Sequence, residues 1–309
     1  MNLETEVRRG YTIPAEMKRV WKVQIDLLKK LLEVCRKHNL HIWAEGGTLL
    51  GTVREQGYIP WDDDIDMVML RDDYDELVRI SEAEFEPPYF FQCGYTEKIY
   101  PRGHAQLRMD GTTAILPYPA FVNTHQGIFI DIFTLDGVPD SPEKVQKLVA
   151  DRNKQFTKMQ RIATFDLLHP IRSLYLLQYR SSFQQQFRVF EDLLRTYPVK
   201  EYENLCLFSF CTDLEHFLRK KEWYKSTMYM PFEDIEIPVP CGYHDILTRQ
   251  YGDYQTPRQV GTYHGGYWKL DVNTPYQTFL PDLKHYYRIM QWNNLPRRIK
   301  AIINKIIHR

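Results

Sequence analysis

The chain has 309 residues, 43% hydrophobic and 26% charged, and its 40 Lys plus Arg are balanced by 40 Asp plus Glu. That is enough apolar material for a large core in one big domain or two smaller ones, and the zero formal net charge argues against a surface built for a polyanion, so no nucleic-acid partner is expected. Five cysteines without a CxxC pair or zinc-finger spacing argue against a disulfide framework and a structural zinc, while the lack of a signal-like segment after Met1 or of any apolar run of about 18 residues leads us to expect a cytoplasmic protein that does not span a membrane.

Along the chain, Val20, Val23, Leu27, Leu28, Leu31, Val34 and Cys35 recur at helical spacing and predict a long amphipathic helix from about Ala15 to His38, with Asn39 placed to cap it. "LHIWA" reads as a short buried strand, Gly46-Gly47 as a tight turn, and "TLLGTVREQG" as a helix. "DIDMVML" predicts a second strand, followed by a helix with Asp72 and Asp73 in its first turn. Strands are expected at "YFFQC", "AQLRM" and "GIFIDIF". From Ser141 to about Lys221 the pattern turns mostly helical, opening on a Ser-Pro-Glu start signal. Beyond it "MPFEDIEIPVP" alternates like a strand and "GYHDILTRQYGD" like a helix. The interleaving predicts an α/β or α+β fold, divided into a catalytic core over 1–140, a helical insert over 141–221, and a C-terminal part over 222–309 that completes the core.

The acidic run Asp62, Asp63, Asp64 and Asp66 leads straight into the apolar "MVML". On a strand, Asp62, Asp64 and Asp66 share one face while Ile65 and Met67 point to the other, with same-face neighbours about 6.7 Å apart. Two carboxylates about 5 Å apart at an effective dielectric near 20 repel by roughly 3 kcal/mol, so the cluster needs solvation, raised pKa values or a hard cation with oxygen ligands. Solvation suits Asp62 and Asp63 after the Pro-Trp turn; it does not suit Asp66, and the cation is favoured there. An EF-hand loop is excluded, because counting from Asp62 the glycine position is Met67 and the twelfth is Asp73. Asp131 is a second anomaly, a carboxylate in the otherwise apolar "GIFIDIF", costly unless salt-bridged or on a metal. Asp136, just before a glycine, reads as an ordinary turn residue.

Together these blocks resemble the LicD family of phosphotransferases, which includes fukutin-like proteins, within the nucleotidyltransferase-fold superfamily. Gly46-Gly47 followed by Asp64-Ile65-Asp66-Met67 is similar to the superfamily motif, "GTLLGTVREQGYIPWDDDID" and "GIFIDIFTLDGVP" to two family blocks, and "YGDY" (Tyr251 to Tyr254) with His264 to a looser third. Thr134 departs from an expected proline. The resemblance implies a nucleotidyltransferase-like mixed sheet flanked by helices, with Asp64, Asp66 and Asp131 holding Mg²⁺ or Mn²⁺. It also implies transfer of a phospho-substituent, typically phosphocholine from CDP-choline, to a hydroxyl of a cell-surface glycan or its lipid-linked precursor, such as lipopolysaccharide or teichoic acid, with release of CMP. Such a reaction needs charge neutralisation and positioning more than covalent participation.

The glycine pair lets backbone N–H groups approach a pyrophosphate at a helix N-terminus, where Thr48 could add a hydroxyl. Asp62 is either a residue behind the metal ligands or the base for the acceptor hydroxyl. Arg54 is a phosphate ligand or a surface helix arginine, and Trp61 a stacking platform for cytosine or choline or a packing residue. Arg108 and His125 flank strands near the site and are structural or catalytic, and His264 orients a phosphate or moves a proton. At the C-terminus, Leu295, Ile299, Ile302, Ile303, Ile306 and Ile307 share a helical face in a segment with five Lys or Arg and no acid. It either packs on the protein or makes peripheral contact with the inner membrane surface. Two other readings keep part of these features: a nucleotidyltransferase for RNA or a small molecule, and a nucleotide- or glycan-binding module.

Overall fold

The computed structural model describes residues 1–164, 170–259 and 266–294. In chain order the elements are β1 (Glu6–Arg8), β2 (Tyr11–Ile13), α1 (Ala15–Lys37), β3 (Trp43–Ala44), α2 (Gly46–Glu55), β4 (Asp66–Leu70), α3 (Arg71–Glu84), β5 (Tyr89–Gln92), β6 (Ala105–Met109), β7 (Thr113–Ile115) and β8 (Phe129–Gly137). They continue with α4 (Pro142–Ala163), α5 (Pro170–Leu177), α6 (Phe183–Leu194), β9 (Asn204–Cys206), α7 (Leu214–Phe217), β10 (Leu218–Lys220), β11 (Thr227–Phe232), β12 (Ile235–Pro240), α8 (Tyr243–Tyr251), β13 (Lys269–Asp271) and α9 (Leu280–Asn294).

The fold is the expected α+β type, a mixed sheet flanked by helices. β8 is its axis: β4 runs parallel along one edge, while β6 and then β9 run antiparallel along the other. β3 extends the sheet beyond β4, β5 beyond β6 and β10 beyond β9. All nine residues of β8 are buried, which explains its mostly apolar character in the sequence and makes Asp131, Thr134 and Asp136 the exceptions that need partners. α1 lays Trp21, Ile25, Leu28 and Leu31 against this sheet, in a core shared with Ile65, Met67, Ile130 and Ile132.

Several segments differ from the sequence reading. Asp62 to Ile65 are not in a strand; β4 begins only at Asp66, and the preceding residues form an extended loop. "MPFEDIEIPVP" is not one strand but most of a hairpin, β11–β12, reversing where Glu233 takes φ +55°. The stretch read as mostly helical contributes β9 and β10 to the central sheet, and its helices α4 and α6 enclose a second apolar cluster around Leu148, Met159, Phe183, Phe187 and Phe190. The C-terminal segment from Leu295 and its proposed membrane contact lie outside the described residues. No helix among the described residues is long and apolar enough to cross a membrane.

The sheet and α6 are joined by a buried ionic network that the sequence did not announce. Arg71, 4% exposed, donates from Nε to Asp136 (2.7 Å), from Nη1 to Glu191 (3.1 Å) and from Nη2 to the Thr134 hydroxyl (3.0 Å). Asp136 is therefore a buried strand residue in an ion pair rather than a turn residue, and Thr134 has a partner that a proline could not supply. Removing one member of such a network strands the others without compensation. Arg71→Met is expected to lower stability by about 3–5 kcal/mol, read as a fall in the urea midpoint; an unchanged midpoint would show that the network contributes nothing.

Candidate active site

The register of β4 on β8 pairs Asp66 with Asp131. Paired residues of adjacent parallel strands project to the same face about 4.8 Å apart, so the two carboxylates meet. Asp64 joins them from the loop, with one oxygen from each of the three within 4.8 Å of the others; Asp62, Asp63 and Asp64 form a second group of the same kind. Burial, then Asp66 and Asp62, push the Asp64 carboxyl well above the usual carboxylate range, and burial, then Asp131 and Asp62, do the same to Asp66. Asp63 is 4% exposed, so the solvated position expected for it is not found; the loop is drawn inward by α1.

That inward pull is specific. From α1, Trp21 Nε1 donates to the Asp62 carbonyl (3.1 Å) and Gln24 Nε2 to the Asp63 carbonyl (2.8 Å), while Tyr58 stacks on Trp21 at 4.3 Å and donates to Gln24 Oε1 at 3.0 Å. Asp66 is held from both sides of its backbone, its N–H by the Thr48 hydroxyl (2.8 Å) and its carbonyl by the Glu45 N–H (3.0 Å). Asp131 accepts from Gln106 Nε2 (2.7 Å), and Gln106 Oε1 accepts from Arg108 Nη2 (2.6 Å).

Gly46 and Gly47 serve the acids as well as the helix start. Gly46 has φ +55°, and a Cβ there would stand 3.0 Å from Asp66 Oδ2; a Cβ on Gly47 would stand 2.5 Å from Asp62 Oδ2. Only glycine tolerates both the conformation and the approach. Glu45, at the N-cap of α2, is buried against Arg219 of β10, with Nη2 to Oε1 at 2.6 Å and the arginine wholly inaccessible.

A cavity of about 940 Å³ opens over this face. Gly46, Gly47, Arg54, Trp61, Asp62, Asp64, Asp66 and Asp131 all line it, as do Tyr251 to Tyr254 of the third block. Arg54 is not a free surface residue: Nε donates to Glu55 (2.7 Å) and Nη1 to the Tyr254 carbonyl (3.1 Å). Trp61 packs edge-on to Tyr11 at 6.1 Å while facing the cavity. Thr48 and Arg108 are not brought to the cavity wall; both act behind it, on Asp66 and on Asp131 through Gln106. His125 pairs with Asp110 (2.7 Å), away from the carboxylates, and His264 lies outside the described residues.

Two lining residues escaped the sequence reading. His104, 4% exposed, has Nε2 3.2 Å from Asp131 Oδ1 without the alignment of a hydrogen bond, and its ring lies 4.5 Å from that of Phe133. Burial holds its pKa below the ordinary value despite Asp131. Arg102 has its Nε buried without a partner and its guanidinium 4.6 Å from the Phe121 ring. The sequence did carry a signal: His104, Gln106 and Arg108 are polar at alternate positions entering an otherwise apolar strand, one polar face of β6 turned toward Asp131.

The mixed sheet thus brings carboxylates together beside a glycine-paired helix start and a deep cavity. Residues 39–158 match the family model for the LicD/FKTN/FKRP nucleotidyltransferase domain. The chain is 27% identical over 244 residues, 75% of its own length and 88% of the relative's, to the lipopolysaccharide cholinephosphotransferase LicD of Haemophilus influenzae. It is 44% identical over 71 residues, 23% of this chain and 24% of the relative, to an uncharacterised protein of Rickettsia prowazekii. Over residues 39–158 the chain is thus similar to the LicD family.

Crowding like charges costs stability whenever nothing neutralises them. At about 4.8 Å and an effective dielectric near 20 the Asp66–Asp131 repulsion is about 3 kcal/mol. In chelator, Asp66→Asn is therefore expected to raise stability by about 1–3 kcal/mol, measured by thermal or urea denaturation. A destabilised variant would mean that the carboxylate is held by attraction instead.

Proposed function

We propose that the protein transfers phosphocholine from CDP-choline to a hydroxyl of a lipopolysaccharide-type glycan or its lipid-linked precursor, releasing CMP, with Mg²⁺ or Mn²⁺ held by Asp64, Asp66 and Asp131. The observation that carries this reading is the meeting of three carboxylates, Asp131 buried and Asp64 and Asp66 half-buried, at the wall of a 940 Å³ cavity, in a chain related over most of its length to a cholinephosphotransferase. The donor set fits a hard cation: it is all oxygen, and desolvation together with the neighbouring acids disfavours three unneutralised charges there. When bound, such an ion neutralises charge on the transferring phosphoryl group and on the departing phosphate.

The protein's own groups supply the rest. The N-terminus of α2, free of side chains at Gly46 and Gly47, offers backbone N–H groups to the donor's diphosphate. Arg102 and His104 add side-chain donors from the loop that leads into β6. Trp61 supplies an apolar face for the base or the trimethylammonium group. The acceptor oxygen forms its bond to the phosphocholine phosphorus as the bond to the CMP oxygen breaks. Its proton passes to Asp62, which lines the cavity beside the three that meet at Asp131. A cavity of this size lies at the upper end for small-molecule sites and accommodates the donor with part of an acceptor.

The test is CMP release from CDP-choline and other CDP-linked alditols and sugars, with lipopolysaccharide and Mg²⁺ or Mn²⁺. Asp64→Asn and Asp66→Asn are each expected to lose about 10³-fold in rate, the scale of several kcal/mol of lost charge stabilisation, while remaining folded. Release that needs no divalent cation, or that survives in both variants, overturns the reading; preference for another CDP-linked donor would keep the chemistry and replace choline.

A further inference from the structure

No step of the proposed transfer uses the "YGDY" block, yet its first residue, Tyr251, lines the cavity. Tyr251 is the last residue of α8, before Gly252 turns the chain at φ +67°. Its hydroxyl oxygen lies 4.0 Å from the place a Cβ on Gly46 would occupy, and that same place is 3.0 Å from Asp66 Oδ2. The phenol therefore stands over the first residue of α2, close to the acids.

A buried arginine fixes this hydroxyl. Arg219, wholly inaccessible, donates from a single nitrogen, Nη2, to Glu45 Oε1 at 2.6 Å and to Gln250 Oε1 at 2.7 Å, while Nη1 donates to the His216 carbonyl at 2.8 Å. A guanidinium only donates, so the Gln250 amide turns its oxygen to Arg219 and its nitrogen away. That nitrogen donates to the Tyr251 oxygen at 3.2 Å. With its oxygen accepting from Gln250, the phenol keeps its own proton to give, and among the described residues none accepts it. Glu45 directly precedes Gly46, so one guanidinium nitrogen ties the start of α2 to the neighbour that holds Tyr251.

We propose that Tyr251 donates this hydrogen bond to a non-bridging oxygen of the donor's diphosphate, and that Gln250, held by Arg219, is the positioning residue that aims it. The inference rests on the phosphotransfer reading of the same site. A phosphate oxygen is the acceptor that the surroundings select: the glycine-started helix offers N–H groups to an anion, and Arg102, whose buried Nε has no partner, lines the same cavity. A phenol suits the position better than a cation does. An ammonium or guanidinium beside Asp66 would pair with that carboxylate and withdraw it from the cluster, whereas a hydroxyl donates without neutralising the acids.

Binding of pyrophosphate in the presence of Mg²⁺ should be measured by calorimetry on the full chain, since pyrophosphate carries the group common to every CDP-linked donor. Tyr251→Phe, which removes one hydroxyl from an exposed side chain, is expected to weaken binding about tenfold, the scale of a hydrogen bond to a charged group, with an unchanged melting curve. Tyr251→Leu should match it. Gln250→Met is expected to weaken binding severalfold in the native chain and to have no further effect in a Tyr251→Phe background, because the two residues act through one hydroxyl. Native affinity in Tyr251→Phe, a loss in Tyr251→Leu well beyond that in Tyr251→Phe, equal losses from Gln250→Met in both backgrounds, or no pyrophosphate binding by the native chain would each overturn the proposal. Failure of the phosphocholine reading is seen separately, as absence of CMP release from CDP-choline by the native chain, and the pyrophosphate comparison still decides on Tyr251.

Discussion

Like charges crowded at the wall of a cavity are the constraint on which the rest of this structure depends. Asp66 and Asp131 occupy matched positions on adjacent parallel strands, with Asp64 swung in beside them from the loop. Left alone, such a cluster would splay apart or draw in water. The protein opposes both by holding backbone rather than side chain: Thr48 and Glu45 grip Asp66 at its N–H and carbonyl, and Trp21 and Gln24 grip the carbonyls of Asp62 and Asp63. The loop and strand that carry the carboxylates are thereby fixed at the cavity wall.

Apolar packing alone could not maintain that arrangement. Buried cations stand behind the acids at two removes. Arg219 neutralises Glu45 at the start of α2, and Arg108 orients Gln106, which orients Asp131. Farther along the same strand, Arg71 bridges Asp136 and Glu191 and so ties β8 to the α4–α6 layer. Each of these is worth little as net stability, because desolvation offsets attraction, but each makes a shift of the sheet register expensive. Stability is thus used to fix geometry at the site, as expected where function requires a strained charge distribution.

Much of the architecture was legible because it is written in short-range periodicity. α1, α2, α3 and the strands at β5, β6 and β8 follow from apolar spacing and glycine punctuation, and the acids at Asp64, Asp66 and Asp131 stood out because a carboxylate inside an apolar run needs a reason. The loop at Asp62 to Ile65 was misread as strand because alternation of polar and apolar residues satisfies a strand and an extended, tethered loop equally. The burial of Asp63 depends on Gln24 of α1, and the Glu45–Arg219 pair joins residues 174 positions apart; neither leaves a trace in local spacing. Which residues bear charge, where glycine frees the backbone and which segments alternate follow from the order of residues alone. The register that sets Asp66 of β4 against Asp131 of β8 does not, because strand pairing between distant segments is chosen by the packing of the whole core and not by either strand alone.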